Sequence, residues 1–367
     1  MIEMEVTIHD VAFGGAGVGR LPNGKVVFVP YTLTGEKVRV RIHRSKKDFS
    51  EAELVEILIP SSKRTSPPCI YFGRCGGCQY QHATYEEQLR IKEKQVRDAL
   101  QRIGEFKELP PFYVEAAPQP YGYRNKISVH KGPAGEIGFF AEDNSTIIDV
   151  ERCLIASDAL NAQLASFRKT SSKPRHASLI DQTLRPEISE GSFHQINTLM
   201  AARILDWLRQ QIAPGKEMQL LELYCGAGFF ALGLADLFTK ICGVDRDKRA
   251  VHAATSRAQT LGISGAQFFH ATAEECVERL LEETPLQKTF LLIDPPREGL
   301  SSSVIEHLSQ KPCASLIYIS CNPTTLARDL KKLVHAQSTK YTLHQLGVFD
   351  MFPQTAHIET VAILRPV

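Results

Sequence analysis

The sequence predicts an α/β protein: a doubly wound, mostly parallel sheet in the C-terminal half, preceded by a small β-barrel and a β-rich middle segment. Three observations predict it. Residues 1–60 carry short apolar runs separated by Gly/Pro/Asn turn signals. From about residue 193 apolar strands alternate with helical stretches, as a parallel sheet with crossover helices requires. Between them, residues 111–192 are irregular, with Pro118, Pro120, Gly122, Gly132, Pro133 and Gly135 as punctuation.

The barrel strands are expected at Met4–Ile8, Val26–Val29, Val38–Ile42 and Ala52–Ile59, set off by the glycines at 14, 15 and 17, by Pro22-Asn23-Gly24 and by Gly35. Such spacing suits a small barrel of the OB type. In Lys37-Val38-Arg39-Val40-Arg41-Ile42 apolar and basic residues alternate, so three cations share one face. Arg44, Lys46 and Lys47 follow, and the strand reads as a cationic ridge suited to a phosphate backbone. The alternative is a solvated strand face, because residues 1–60 hold as many acids as bases.

A polar linker, residues 61–68, leads into Cys69, Cys75 and Cys78. A helix follows. Thr84 and Glu87 have capping-box spacing, Leu89, Val96, Leu100 and Ile103 share a face, and Gly104 ends it. The later strands are expected at Gln219–Leu223, Ile241–Val244, Gln267–Phe269, Phe290–Ile293, Ser315–Ile319 and Val361–Leu364.

The 367 residues suggest two or three domains, and 43% apolar with 23% charged residues exclude wholesale disorder. A formal net charge of +2 excludes a bulk polycation. The longest weakly charged stretch, Leu223–Ala235, carries three glycines and falls short of the roughly 20 residues a membrane helix needs. The first residues have neither a basic region nor an apolar core, so no signal peptide is expected and the cytoplasm is the expected compartment. Nine cysteines, three of them clustered, favour metal ligation or catalysis over a disulfide framework.

Leu220 to Phe230 runs from a strand through Cys225-Gly226-Ala227-Gly228 into a helix. Glycines there let a ligand approach the backbone. The Gly226-x-Gly228-x-x-Ala231 spacing, with Asp245 ending the next strand, also fits a dinucleotide. Glu222, an acid at the start of the turn suited to a cationic sulfonium, and Asp294-Pro295-Pro296-Arg297 after another strand favour S-adenosylmethionine. In Ser320-Cys321-Asn322-Pro323 the proline breaks a strand and leaves Cys321 at the sheet's carboxyl edge, where a thiol can act as a nucleophile. Glu359 precedes the last strand and, as a rim carboxylate, could serve as a base; in isolation it and His357 read as surface residues. Cys242, Cys276 and Cys313 read as inert packing residues.

Tyr123-Arg124-Asn125-Lys126, Phe193-His194-Gln195-Ile196-Asn197, the Gly226 turn, the Asp294 turn, Ser320-Cys321-Asn322-Pro323 and Phe352-Pro353 through Glu359-Thr360 occur in that order. Together they resemble the RNA 5-methyluridine methyltransferases over nearly the whole chain, and residues 1–60 resemble that family's TRAM domain. The resemblance implies a Rossmann-like S-adenosylmethionine methyltransferase sheet. It makes Cys321 the nucleophile and Glu359 the base, with Gln195, Tyr224, Asp245 and Asp294 contacting S-adenosylmethionine. Uracil C5 is too weak a nucleophile to take a methyl group unaided. A thiolate adding at C6 activates it, and a base must then remove the C5 proton. The target base must be flipped out or single-stranded.

The chain departs from the family pattern at Phe229, Thr272, Arg257 and Leu261 and, modestly, at Asp245, all on the donor side. Cys69, Cys75 and Cys78 need a fourth ligand, for which Cys153 is the best candidate. Spacing alone suits zinc and an iron–sulfur cluster equally. The resemblance favours [4Fe–4S] over zinc, with a structural or RNA-positioning role. The implied domains are 1–60, a TRAM-like barrel; 61–82 with 112–192, a central cysteine-bearing domain; and 83–111 with 193–367, the catalytic domain, on which the helix at 84–103 packs. A TRAM domain with a cysteine cluster resembles the branch acting on 23S ribosomal RNA more than the transfer-RNA branch. A monomer is expected. The competing readings are a non-catalytic iron–sulfur RNA-binding protein and an amino-group methyltransferase; the latter class generally has an aromatic residue where Arg297 stands.

Overall fold

The computed structural model describes residues 3–171, 180–184, 195–212, 215, 217–335 and 341–367. The chain divides into two compact units. The first comprises Met1–Gln95, Pro118–Pro186 and Phe352–His357, and the second Val96–Ala117, Glu187–Met351 and Ile358–Val367.

In the first unit, β1 (Glu3–Val11), β2 (Gly17–Arg20), β3 (Val26–Val29), β4 (Lys37–Ser45) and β5 (Phe49–Ile59) close a barrel in the order β1-β2-β3-β5-β4. Strand alternation sends Val6, Ile8, Val27, Val29, Val38 and Val40 into its core. β2 lies where the sequence shows only a glycine turn. A Cβ at Gly17 would lie 2.0 Å from Thr32 Oγ1, and one at Gly19 2.2 Å from Val6 Cγ1, so these glycines serve close packing within a strand.

The cationic ridge does not survive folding. Lys37 pairs with Glu5 at 2.6 Å, Arg39 with Glu56, Arg41 with Glu3 at 2.7 Å and Glu53 at 2.6 Å, and Arg44 with Glu51 at 3.3 Å. The acids come from the neighbouring strands β1 and β5, which a single strand's pattern cannot reveal. Among the described residues, Lys46 and Lys47 at the β4–β5 tip have no ion-pair partner.

The helix α1 (Tyr85–Arg102) starts where expected, but without the capping box. Thr84 N–H donates to Lys63 O, Thr84 Oγ1 has no partner among the described residues, and Glu87 binds Arg90 instead. Ile103 is exposed rather than on the packed face. β7 (Ile127–Lys131), β8 (Ile137–Phe140), β9 (Ile147–Asp149) and β10 (Ile180–Leu184) form a sheet in the order β10-β7-β8-β9. Leu160 and Leu164 of α2 (Asp158–Ser171) share a core with Ile127, Val129 and Ile137 of this sheet.

The second unit is an eight-stranded sheet. Its strands are β6 (Phe112–Glu115), β11 (Gln219–Leu223), β12 (Lys240–Asp245), β13 (Ala266–His270), β14 (Thr289–Ile293), β15 (Ser315–Ser320), β16 (Tyr341–Phe349) and β17 (Glu359–Pro366). The order is β13-β12-β11-β14-β15-β17-β16-β6. Five strands from β13 to β15 are parallel, and β17 inserts antiparallel beside β15. The helices are α3 (Thr198–Gln211), α4 (Phe229–Gly233), α5 (Lys248–Thr260), α6 (Ala273–Glu283), α7 (Ser302–Gln310) and α8 (Pro323–His335). Val96, Ala99 and Leu100 of α1 join this unit's core. The sequence puts 112–115 with the central segment; the structure pairs these residues with β16 in the large sheet instead. β16 escapes the sequence because a register shift between Leu343 and Gln345 breaks its alternation.

Candidate active site

The carboxyl edge of the second unit's sheet gathers the residues of interest. β11, β12 and β14 run parallel, with Leu223 beside both Val244 and Ile293. The next residues, Tyr224, Asp245 and Asp294, therefore emerge together, and all three line a cavity of about 490 Å³. Its other walls come from Thr272–Glu274 and from the turn 295–301.

The glycine turn forms one side of this edge. Tyr224, Gly226 and Gly228 all have positive φ, at 61°, 50° and 70°, the last two as glycine allows. Gly226 N–H donates to Asp245 Oδ2 at 2.8 Å, which ties the second strand's terminal acid to the turn. Glu222 does not face the ligand space. It is buried, accepts the Ala231 N–H at 2.9 Å, and does not line the cavity. Burial pushes its carboxyl well above the usual range, so it supports the turn from beneath rather than meeting a cation.

Of the departures from the family pattern, Asp245 and Thr272 line this cavity, and Phe229, Arg257 and Leu261 do not. Thr272 lines it and caps α6 in a capping box with Glu275. Arg257 donates to Ala227 O at 3.1 Å, Leu261 is exposed, and Phe229 opens α4 with its ring edge-on to Phe230. Gln195 is described but does not line the cavity; Phe193 and His194 lie outside the described residues.

Cys321 and Glu359 meet through sheet register. In the antiparallel pair β15–β17, Leu316 faces Leu364 and Ser320 faces Thr360. Cys321 directly follows Ser320 and Glu359 directly precedes Thr360, so both lie at this end of the pair, close enough for the Glu359 charge to act on the thiol. Glu359 is 9% exposed, and Cys321 is half-buried. Burial, then the charges of Glu359 and Asp294, push the thiol up to about 11, against an opposing pull from the Arg297 guanidinium. Burial and repulsion from Asp294 raise the Glu359 carboxyl well above its ordinary value. Asp294 is raised by burial and by Asp245. A thiol flanked by carboxyls of high proton affinity can exchange protons with them, as nucleophile–base chemistry requires. The sequence singled out Arg297 only as a misfit for another class; its position in the turn after Asp294 was the available signal for a cation facing the thiol.

The four cluster cysteines lie in the first unit. Cys69, Cys75, Cys78 and Cys153 line one cavity of about 510 Å³ with Arg124, Tyr71 and Phe72. Burial and the charges of the other cysteines raise the thiols of Cys75, Cys153 and Cys78, the last to about 12. Among the described residues, no three His, Cys, Asp or Glu side chains converge closely enough to hold an ion. Thiolates on one zinc ion would stand about 3.8 Å apart, from a bond of about 2.3 Å in a tetrahedron.

A doubly wound sheet with a glycine turn, a donor-sized cavity and a thiol–carboxylate pair at one edge defines an α/β methyltransferase. Residues 174–366 match the model of the tRNA (Uracil-5-)-methyltransferase family, and residues 3–55 match the TRAM domain. The chain belongs to this family of S-adenosylmethionine-dependent RNA uracil-5-methyltransferases, which sets aside the dinucleotide, amino-group and non-catalytic readings. An uncharacterized RNA methyltransferase of Bdellovibrio bacteriovorus is 33% identical, covering 99% of this chain and 95% of its own length. A tRNA (uracil(54)-C(5))-methyltransferase of Schizosaccharomyces pombe is 29% identical over 100% of this chain and 78% of its own. The Pyrococcus abyssi tRNA (uracil-54, C5)-methyltransferase, solved with S-adenosyl-L-homocysteine, shares the fold. It has a TM-score of 0.71 and 21% identity, with 98% of this chain and 100% of that one covered. No helix among the described residues is long and apolar enough to cross a membrane.

Proposed function

We propose that this enzyme methylates C5 of a specific uridine in RNA with Cys321 as nucleophile and Glu359 as base. The observation that supports this reading is that Cys321 and Glu359 lie at the same end of the β15–β17 pair, with Glu359 and the cavity-lining Asp294 both acting on the thiol. The Cys321 thiolate bonds to C6 of a uracil, and the electron pair moves onto the C5 enolate. S-adenosylmethionine, when bound, would supply the methyl group that C5 takes up, its sulfur keeping the electron pair of the broken S–CH3 bond as S-adenosylhomocysteine leaves. The Glu359 carboxylate then removes the C5 proton, the Sγ–C6 bond breaks, and the thiolate is restored. Tyr224, Asp245 and Asp294 hold the donor; Gln195 is proposed as a further contact from the resemblance alone. Tritium release from 5-tritiated uridine RNA tests the scheme. Cys321→Ala should abolish release, and Glu359→Gln should accumulate a denaturation-resistant enzyme–RNA adduct. Undiminished release by Cys321→Ala refutes it.

The cysteine cavity is proposed to carry a [4Fe–4S] cluster on Cys69, Cys75, Cys78 and Cys153. Buried thiols reluctant to ionise gain from a cationic centre, and the four cysteines that line one cavity supply the four thiolates such a cluster takes. Anaerobically purified protein should contain iron and acid-labile sulfide, and Cys153→Ser should lose both. Zinc without sulfide would overturn this assignment.

The target is proposed to be 23S ribosomal RNA, on the resemblance of a TRAM domain joined to a cysteine cluster. Position 54 of transfer RNA is the second reading, favoured by the name of the Schizosaccharomyces pombe relative. Mapping 5-methyluridine in both RNAs from a deletion strain separates them. The enzyme is proposed to act as a cytoplasmic monomer, which light scattering and cell fractionation test.

A further inference from the structure

Asp329, inside α8, is a fully buried carboxylate with no part in the chemistry above. Its Oδ2 accepts the Leu300 N–H at 2.8 Å and the Tyr318 hydroxyl at 2.8 Å, and its Oδ1 accepts Arg328 Nε at 2.8 Å. Arg328 Nη2 donates to Glu298 O at 2.8 Å and to Leu300 O at 3.3 Å. One turn earlier, Thr325 Oγ1 donates to Arg297 O at 3.1 Å, as does Asn322 Nδ2. The segment held this way, 297–300, belongs to the turn whose residues Glu298, Gly299, Leu300 and Ser301 wall the donor cavity.

Gly299 shows how tightly the parts fit. Its φ is +76°, and a Cβ there would stand 2.5 Å from Asp329 Oδ2 and 2.7 Å from Arg328 Nη2. The turn is pressed onto the carboxylate, and only a residue without a side chain fits that backbone. Burying a charge is a poor route to stability, since apolar side chains of the same volume usually serve better. What a buried carboxylate with three donors supplies is fixed geometry. The helix that fixes the turn begins two residues after Cys321, so one rigid element sets both the donor wall and the thiol.

We propose that Asp329, aided by Arg328, is a positioning residue for the methyl donor: it latches the 297–301 turn in the shape that receives S-adenosylmethionine. This rests on the reading of the cavity as the donor site. The test is calorimetric binding of S-adenosylhomocysteine to the full chain, with KM measured separately for S-adenosylmethionine and RNA. Asp329→Asn and Gly299→Ala attack one contact from opposite sides. Each should weaken S-adenosylhomocysteine binding tenfold or more and raise the donor KM in parallel, leaving the RNA KM within twofold. Arg328→Met, at a half-exposed side chain, keeps the test open if the other two fail to fold, and should weaken binding about threefold. Folded variants that bind like the wild type, or whose donor and RNA KM change together, overturn the latch. Wild-type protein that fails to bind S-adenosylhomocysteine overturns the donor reading itself and the latch with it.

Discussion

Glu359→Gln should make Cys321 more acidic while stopping turnover. Cross-strand neighbours stand about 5 Å apart. At an effective dielectric of about 20, two unit charges at that distance interact by roughly 3 kcal/mol, or about two pH units. Solvent at the half-buried thiol reduces this to about one unit. The wild-type thiol is pushed up to about 11, partly by the Glu359 charge, so removing that charge lowers it. At a fixed pH near 9 the thiolate fraction rises about tenfold, and the lower intrinsic nucleophilicity of the more acidic thiol returns about a factor of three. Iodoacetamide should then alkylate Cys321 about threefold faster, read by mass spectrometry on its peptide. Arg297→Gln should slow it, because that guanidinium favours the thiolate. An unchanged or slower rate in Glu359→Gln would refute the electrostatic coupling inferred from register.

Three further outcomes follow from the structure. Glu222 is raised well above the ordinary carboxylate range by burial, so its contribution to stability is fullest below that range and is lost as pH rises through the raised value. Glu222→Gln keeps an acceptor for Ala231 N–H and cannot ionise. Its Tm should therefore gain on the wild type between pH 5 and pH 8 in a thermal scan. At the barrel, Lys46→Gln with Lys47→Gln should flatten the salt dependence of RNA binding by about 0.7 per lost phosphate contact, as log K against log salt. Arg39→Gln, which removes an already paired cation, should leave that slope nearly unchanged. Gly243→Ala would place a Cβ 2.4 Å from the Phe268 ring, and should lose about 1–3 kcal/mol in denaturant unfolding.

Much of the architecture was legible because it depends on local pattern. β3 and β11 fall where their apolar runs end, at Val26–Val29 and Gln219–Leu223. The helix α1 was visible from its periodicity even though its expected cap does not form. The glycine turn was visible because a strand, two glycines and a helix follow one another in sequence. The misses share one cause. The acids that neutralise Arg39 and Arg41, the partner of the buried Glu222, and the Leu300 and Tyr318 partners of Asp329 all come from other elements, which a local pattern does not reveal.

Sequence alone therefore determined the alternating strands and helices, the family motifs in their order, and the residue types at the sheet's carboxyl edge, since each is written in neighbouring residues. Tertiary structure decided which charges remain free, which acid faces the cavity and which lies beneath the turn, and that Cys321 and Glu359 meet at one end of a strand pair. Those outcomes depend on strand register and burial, and both are set by partners on other elements that no single element's pattern contains.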